Sequence, residues 1–319
     1  MERIILDVDL AMGAPGSDID DGFALALALA DPGIQVDLVT TVNGNTDVAT
    51  VTTLTLELLH QLGRGDIAVY RGAQRPLIRP QARRGTVPAG VPAREPQRAA
   101  AAVAMVEHVL ANPGQITVVA VGPLTNVALA MRLDHTFAAN LKQLIIMGGV
   151  FDGHTHRAAM PGEFNIWNDP EAAHIVLTSG IAARWVGLDV TLQVRVSRDE
   201  AKAMAASDKP FESFAGTYTA AWIDHLNQRS REKVDSCAMH DPLAVAAVTH
   251  PEFLTWTPAY AQVETGDRLR GAFVTDYFDS DWEPDDSHVS PLSPNALVAR
   301  AVDAAAFHEY FLSRIKELS

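Results

Sequence analysis

Before Ser197 the chain alternates short apolar runs with longer segments of helical periodicity. The apolar runs are mostly continuous, as in strands that are buried on both faces of a parallel sheet. They predict strands at residues 4–7, 36–42, 67–70, 116–121, 144–147 and 183–188. The segments between them predict helices at 20–30, 48–62, 97–110 and 126–133. Repeated strand–helix units predict an α/β fold, with a mainly parallel central sheet flanked by helices.

After Ser197 the pattern becomes mostly helical, and no linker or repeat divides the chain. Ser197 and Glu200 have the spacing of a capping box at a helix start. Further helices are predicted at 211–228, 242–248 and 303–318, and strands at 260–264 and 271–277. We therefore expect a single domain over residues 1–319. Residues 74–96 and 151–168 are predicted loops, and loops of this length are often functional.

Carboxylates gather where the first predicted strand ends and the next helix begins. Asp7 and Asp9 close the strand, and Asp18, Asp20 and Asp21 follow at the helix start. Acids at a helix start ordinarily cap it or complement its dipole. Several carboxylates at one place, however, repel each other unless a cation lies among them. Ligands made only of oxygen favour Ca²⁺ or Mg²⁺ over zinc.

Other polar groups follow strands of the same predicted sheet. In an open parallel sheet, ligands bind beyond the carboxyl ends of the strands. His240 and Asp241 precede a helix, where Asp241 also suits an N-cap with Pro242 at the first helical position. The remaining groups are Asn43 to Asn45, the carbonyl of Val121, and Glu163 with Asn165. Together they predict one ligand site at this edge.

Composition narrows the class of protein. The chain has 319 residues, of which 48% are apolar, and a net charge of −14. This acidic balance argues against nucleic-acid binding, which requires a basic surface. The single cysteine excludes a disulfide framework within the chain and fits a reducing compartment. Neither a signal peptide nor a membrane span is visible, so we expect a cytoplasmic protein that binds no membrane.

The order of motifs resembles the inosine-uridine-preferring nucleoside hydrolases, which are calcium-dependent N-ribohydrolases. The resemblance extends from Ile4 to the last helix. It is carried by Asp7-Val8-Asp9, Asp20-Asp21-Gly22, Thr40-Thr41-Val42-Asn43-Gly44-Asn45, Val121-Gly122-Pro123-Leu124-Thr125-Asn126, Met147-Gly148-Gly149, Glu163-Phe164-Asn165, Asp169-Pro170-Glu171-Ala172-Ala173 and His240-Asp241-Pro242. It implies the family's Rossmann-like architecture and the hydrolysis of ribonucleosides to free base and ribose.

The resemblance also implies a role for each matching residue. The calcium ligands would be Asp9, Asp21, Asp241 and the backbone carbonyl of Val121. Substrate binding would fall to Asp20, Asn45, Met147, Glu163, Asn165 and Asp241. Asp9 would activate a calcium-bound water as general base, and His240 would assist the departing base as an acid. Carboxylates suit this reaction because positive charge develops on the ribose ring.

Some segments depart from the family's pattern. Residues 10–19 are longer than the family's short turn, so Asp20 aligns only if the excess bulges outward, and Asp18 competes as a ligand. The family's histidine in the loop after the third strand is missing. Trp222, His225 and Arg229 could line the base pocket, although a tryptophan on a helix face more often belongs to the core.

Two other classes of function remain open. A metal-dependent phosphohydrolase also uses an Asp-Xaa-Asp pair after the first strand, but it would require a lysine and a second acidic pair at later strand ends. A catalytically inactive protein that binds nucleosides or calcium would keep the site without the chemistry. The family is usually oligomeric, so the resemblance further implies a homo-oligomer, either a dimer or a tetramer.

Overall fold

The computed structural model describes residues 1–80, 84–278 and 292–318. The described residues form eleven strands: β1 Glu2–Val8, β2 Ile34–Thr41, β3 Ala68–Arg71, β4 Ile116–Ala120, β5 Gln143–Met147, β6 Ala183–Val186, β7 Arg195–Ser197, β8 Ser236–Ala238, β9 Leu254–Val263, β10 Phe273–Asp276 and β11 Ala296–Val302. Nine of them make one sheet in the order β10-β9-β11-β6-β5-β4-β1-β2-β3, and β7 pairs with β8 in a separate ribbon.

The helices connect and cover these strands. They are α1 Asp20–Ala30, α2 Val48–Gln61, α3 Ala101–Ala111, α4 Thr125–Leu133, α5 Phe137–Asn140, α6 Phe164–Asn168, α7 Pro170–Leu177, α8 Leu188–Thr191, α9 Arg198–Ala205, α10 Pro210–Arg229, α11 His240–Ala246 and α12 Ala304–Glu317. A 3₁₀ turn spans Pro251–Phe253. Within the described ranges, no helix is long and apolar enough to cross a membrane.

The main sheet confirms the predicted mainly parallel α/β architecture. All pairs from β3 to β11 are parallel, and β9 and β10 extend the sheet in antiparallel fashion. The order β3-β2-β1-β4-β5-β6 is that of Rossmann-like sheets, whose ligands bind where the strand order reverses. This reversal lies between β1 and β4. Asp9 follows β1 and Val121 follows β4, so both lie at the expected ligand crevice.

Alternating side chains of the parallel strands bury two apolar layers. Leu6 and Val8 of β1 pack with α1, α11 and α12 on one face. Ile5 packs with residues of α3, α4 and α7 on the other. Because both faces are covered, the central strands are apolar throughout, which is why their sequence pattern is continuous.

Several predicted boundaries were wrong. The predicted strand 183–188 ends at Val186, because Leu188 begins α8. Strand β11 was missed, and β9 begins at Leu254 rather than at residue 260. The predicted loop 151–168 contains the one-turn helix α6, which Glu163 caps. In contrast, helix 20–30 is confirmed at both ends, and the described part of 74–96 holds no helix or strand.

Candidate active site

Asp9 lies in a narrow gap between two glycines. Its Oδ2 accepts a hydrogen bond of 2.6 Å from the backbone N–H of Asn45. A Cβ on Gly44 would overlap this same oxygen, and a Cβ on Gly122 would lie 2.9 Å from Oδ1. The chain can therefore close around Asp9 on both sides only because these two positions have no side chain.

The start of α1 joins Asp9 to a second group of carboxylates. Asp21 Oδ1 accepts from the backbone N–H of Asp9 at 3.1 Å, and Oδ2 accepts from Asn45 Nδ2 at 3.0 Å. Asp20 Oδ2 accepts from the backbone N–H of Asp241 at 3.3 Å. The starts of α1 and α11 thus meet, so residues that are 221 positions apart share one buried site.

This carboxylate group has the chemistry of a metal site. Asp20, Asp21 and Asp241 are buried, and each offers an oxygen within 4.8 Å of the others. Burial and then repulsion between neighbouring carboxylates hold the pKa of Asp21 and of Asp241 well above the usual range. A cation placed among them would offset both effects. The group can therefore bind a metal ion, and its oxygen ligands fit a hard one.

Asp9 lies beside this group rather than within it. Burial, opposed by the hydrogen bond from Asn45 and helped by the charges of Asp20 and Glu163, raises the pKa of Asp9 to about 8. Asp18 also has a raised pKa, because of its burial and the charge of Asp20. Asp18 is nevertheless outside the three-carboxylate group, and its Oδ1 accepts from the N–H of the next residue.

Asn165 and Glu163 bring α6 to the same edge. Asn165 Nδ2 donates to the carbonyls of Val121 at 2.8 Å and Met147 at 3.3 Å. Glu163 accepts from the backbone N–H groups of Asn165, Ile166 and Gly149. Burial raises the pKa of Glu163, although these three hydrogen bonds oppose the shift. The Val121 carbonyl, predicted as a metal ligand, thus already accepts one hydrogen bond.

His240 begins α11 instead of preceding it. The predicted N-cap role of Asp241 was wrong, because Met239 occupies that position and Asp241 lies inside the helix. His240 Nδ1 is 2.7 Å from Thr191 Oγ1, a buried hydroxyl at the end of α8. Burial lowers the pKa of His240, which favours the neutral ring, whereas the charge of Asp20 acts in the opposite direction.

A buried hydrogen-bond network that was not predicted lies beneath Asp9. Asp7 Oδ1 accepts from Thr40 Oγ1 at 2.7 Å and from Asn126 Nδ2 at 2.8 Å. Asn126 also donates to the Thr41 carbonyl and accepts from the Ala73 N–H. This network fixes the ends of β1 and β2 against α4. Its side chains lie in three of the quoted motifs, but nothing in the sequence indicated that they bind one another.

The long segment between Asp9 and Asp20 does not bulge outward over its first half. Residues 10–14 are buried, and Met12 fills the space above Gly22 of α1. At its exposed part, the segment touches α10, since a Cβ on Gly16 would lie 3.0 Å from the His225 ring. Trp222 stacks on that ring at a centroid distance of 5.3 Å. The segment therefore packs against α10, and Asp20 lies at the start of α1 in one group with Asp21 and Asp241.

A Rossmann-like sheet with a buried carboxylate group at its strand reversal, able to hold a hard metal ion, is an arrangement that suits a metal-dependent α/β enzyme. The chain matches the family described as "Inosine-uridine preferring nucleoside hydrolase" over residues 4–309. It belongs to this family, and it is a hydrolase of the N-glycosidic bond of ribonucleosides.

Relatives across kingdoms agree with this assignment. The chain is 31% identical to "Uridine nucleosidase 1" of Arabidopsis thaliana, over 98% of its own length and 93% of the relative. It is 33% identical to "Non-specific ribonucleoside hydrolase RihC" of Salmonella paratyphi C, over 97% and 95% of the two chains.

Solved structures share the fold over nearly the whole chain. One is a plant nucleoside hydrolase, the PpNRh1 enzyme, with a TM-score of 0.88, 28% identity and 98% coverage of both chains. Another is the purine-preferring ribonucleoside hydrolase from Gardnerella vaginalis, with a TM-score of 0.85, 25% identity and 99% coverage of both.

Proposed function

We propose that Asp9 is the general base of this hydrolase and that its metal ion is Ca²⁺. The supporting observation is the group of buried, oxygen-only ligands directly beside Asp9. When bound there, a divalent cation would supply positive charge and would lower the pKa of a water molecule that it holds. Asp21 and Asp241 of the three-carboxylate group would hold it together with Asp9, whose backbone N–H donates to Asp21, and with the second lone pair of the Val121 carbonyl. The third carboxylate of the group, Asp20, is assigned to the ribose. The same charge would favour the ionised form of Asp9, which can then take a proton from water.

The ribose would bind between α1 and α6. We assign its hydroxyl groups to Asp20, Asn45, Glu163 and Asn165, with Met147 and Asp241 completing the substrate contacts. These carboxylates and amides lie on one edge of the sheet and can each accept or donate a hydrogen bond. The negative charge of the carboxylates would also stabilise the positive charge that develops on the ribose ring as the N-glycosidic bond breaks.

His240 would assist the departing base. A hydroxyl that donates to Nδ1 leaves the ring proton on Nε2, and Thr191 is the hydroxyl at hydrogen-bond distance from Nδ1. From Nε2 the neutral ring can donate a hydrogen bond to the leaving base. Transfer of the proton itself requires the imidazolium, which the charge of Asp20 favours and whose Nδ1–H would donate to Thr191 Oγ1. Thr191 would therefore set the tautomer of His240, although it need not touch the substrate itself.

The direct test is sugar release from a panel of nucleosides, with phosphate release from phosphomonoesters measured beside it. We expect free ribose from uridine or inosine, no phosphate, and near loss of turnover in Asp9→Asn. Phosphate release would instead indicate a phosphohydrolase. Binding of nucleoside without sugar release would indicate an inactive binding protein. An Asp9→Asn variant within about tenfold of the parent rate, or ~1.4 kcal/mol, would remove the base role from Asp9.

Assembly and location complete the proposal. We propose a homo-oligomer of two or four subunits that works in the cytoplasm on small-molecule nucleosides and binds neither nucleic acid nor membrane. The charge of −14 supports the exclusion of nucleic acid. Light scattering on the purified protein gives the subunit number, and a mass of one chain, 34.3 kDa, would contradict the oligomer.

A further inference from the structure

Helix α6 is too short to hold its own position. It has only five residues, Phe164–Asn168, and isolated helices of this length are unstable in water. Side chains fix it at both ends. Glu163 caps its first N–H groups. At the other end, its last carbonyls are bound by a residue from a distant turn.

That residue is Arg270, in the turn between β9 and β10. Its Nε donates to the Trp167 carbonyl at 3.0 Å, and one terminal nitrogen donates to the Asn168 carbonyl at 3.3 Å. The guanidinium also pairs with both oxygens of Glu171, at 2.8 and 2.9 Å. Its side chain is only 3% exposed. Such a forked, buried pair has a defined geometry that a lysine cannot reproduce.

The same turn is also in close backbone contact with α6. A Cβ on Gly271 would lie 2.6 Å from the Trp167 Cα, and a Cβ on Gly162 would overlap the Gly271 backbone. The Gly162 N–H donates to the Arg270 carbonyl at 3.3 Å. The turn therefore contacts α6 on both sides of the segment that carries Glu163 and Asn165.

We infer that Arg270 is a positioning residue for substrate binding: through the α6 carbonyls and Glu171, it holds Glu163 and Asn165 at the ribose site. This inference rests on the proposed ribose role of those two residues. Among the described residues, the hydrogen bonds of the Arg270 side chain reach α6, Glu171 and the Thr265 carbonyl rather than the three-carboxylate group or His240. Its effect therefore belongs to substrate binding rather than to the metal or the leaving base.

The test compares Arg270→Lys and Arg270→Met with the parent enzyme. Both variants remove the fork, and the lysine keeps the charge that Glu171 requires, so at least one variant should fold. We expect KM for uridine and the inhibition constant of free ribose to rise together, by roughly tenfold or more. A purely structural role would lower the thermal midpoint and the active fraction while leaving both constants unchanged.

Arg3→Met is the matched control. Arg3 also pairs with a buried carboxylate, Asp37, but at the opposite end of β1 from Asp9. The Arg3→Met variant should have the KM and the ribose inhibition constant of the parent enzyme. Folded Arg270 variants whose constants also match the parent would overturn the inference.

A double variant tests whether Arg270 affects KM through α6 and its residue Asn165. If Arg270 acts through α6, Arg270→Met should change KM much less in an Asn165→Ala background than in the parent. If Arg270→Met instead raises KM by the same factor in both backgrounds, Arg270 does not act through α6. If Asn165→Ala alone leaves KM unchanged, the proposed ribose role fails and the inference fails with it. If it raises KM while the Arg270 variants do not, only the inference fails.

Discussion

At the scale of the single residue, the environment of His240 has two features that bear on its chemistry: burial of its ring and a hydrogen bond with a hydroxyl group. Its ring is held by Thr191, 49 residues away in sequence, and burial lowers its pKa. The histidine itself was found from its Asp-Pro neighbours, whereas nothing in the sequence pointed to Thr191. A short helix after β6 brings the hydroxyl to the ring, and periodicity cannot place a four-residue helix.

We expect His240→Ala to slow uridine or inosine hydrolysis by roughly 10²–10⁴-fold, the usual contribution of an acid. A nitrophenyl riboside, which has a good leaving group, should be almost unaffected. Both rates come from one preparation, so errors in enzyme concentration cancel. Equal losses on the two substrates would refute the acid role. His225→Ala is the control, and a fully active His240→Ala would move the assignment toward His225.

At the scale of elements, the starts of α1 and α11 together form the carboxylate group that we propose as the metal site. Helix α1 was predicted at both ends because its acidic start and its Asp-Pro-Gly stop are local signals. Its contact with α11 joins residues that are more than 200 positions apart, which a single sequence does not reveal. Strand ends predicted one shared edge, but only the resemblance to a known family assigned Asp21 and Asp241 to the same metal ion in advance.

We expect Asp21→Asn to weaken calcium binding by more than about tenfold, a loss of ~1.4 kcal/mol. The reason is that Asp21 is a member of the three-carboxylate group, whereas Asp18 is not. Asp18→Asn should therefore have the smaller effect, through charge alone. Calorimetric titration of calcium into each metal-free variant measures both. A larger loss of calcium affinity in Asp18→Asn than in Asp21→Asn would make Asp18 the calcium ligand. The match of the α1 start to the family's motif would then have to be shifted.

Strand β11 was not predicted for the same reason: its structure depends on segments that are distant in the sequence. Strand β11 follows a polar stretch, and its Ala-Leu-Val-Ala-Arg-Ala-Val run also suits a helix by composition. It becomes a strand because it pairs with β6 on one side and β9 on the other. Tertiary pairing decides such segments, whereas the doubly buried central strands were predictable from their own residues.

At the scale of the molecule, the buried carboxylates link stability to pH. Burial raises the pKa of Asp9 from 3.8 to about 8, and Asp21 and Asp241 shift in the same direction. Without metal, the folded protein retains protons that the unfolded chain has already lost. The contribution of these three groups to stability is therefore fully present below the unfolded pKa and is lost as the pH rises toward 8.

We expect calcium to raise the thermal midpoint more at pH 8 than at pH 5, because protons compete for the same oxygens. A single domain over residues 1–319 should unfold in one transition at either pH. Calorimetric scans of chelator-treated protein, with and without calcium, measure both features. A calcium effect that is larger at pH 5, or two separate transitions, would contradict this account.

Ribose release from uridine by chelator-stripped protein, before and after Ca²⁺ is restored, tests the central claim most directly. The claim is that buried carboxylates beyond β1 use a calcium ion to break an N-glycosidic bond. It predicts little ribose from the stripped protein and full recovery with Ca²⁺, together with calcium in the protein purified without chelator. Stoichiometric zinc at the site, with Ca²⁺ unable to restore ribose release, would contradict it.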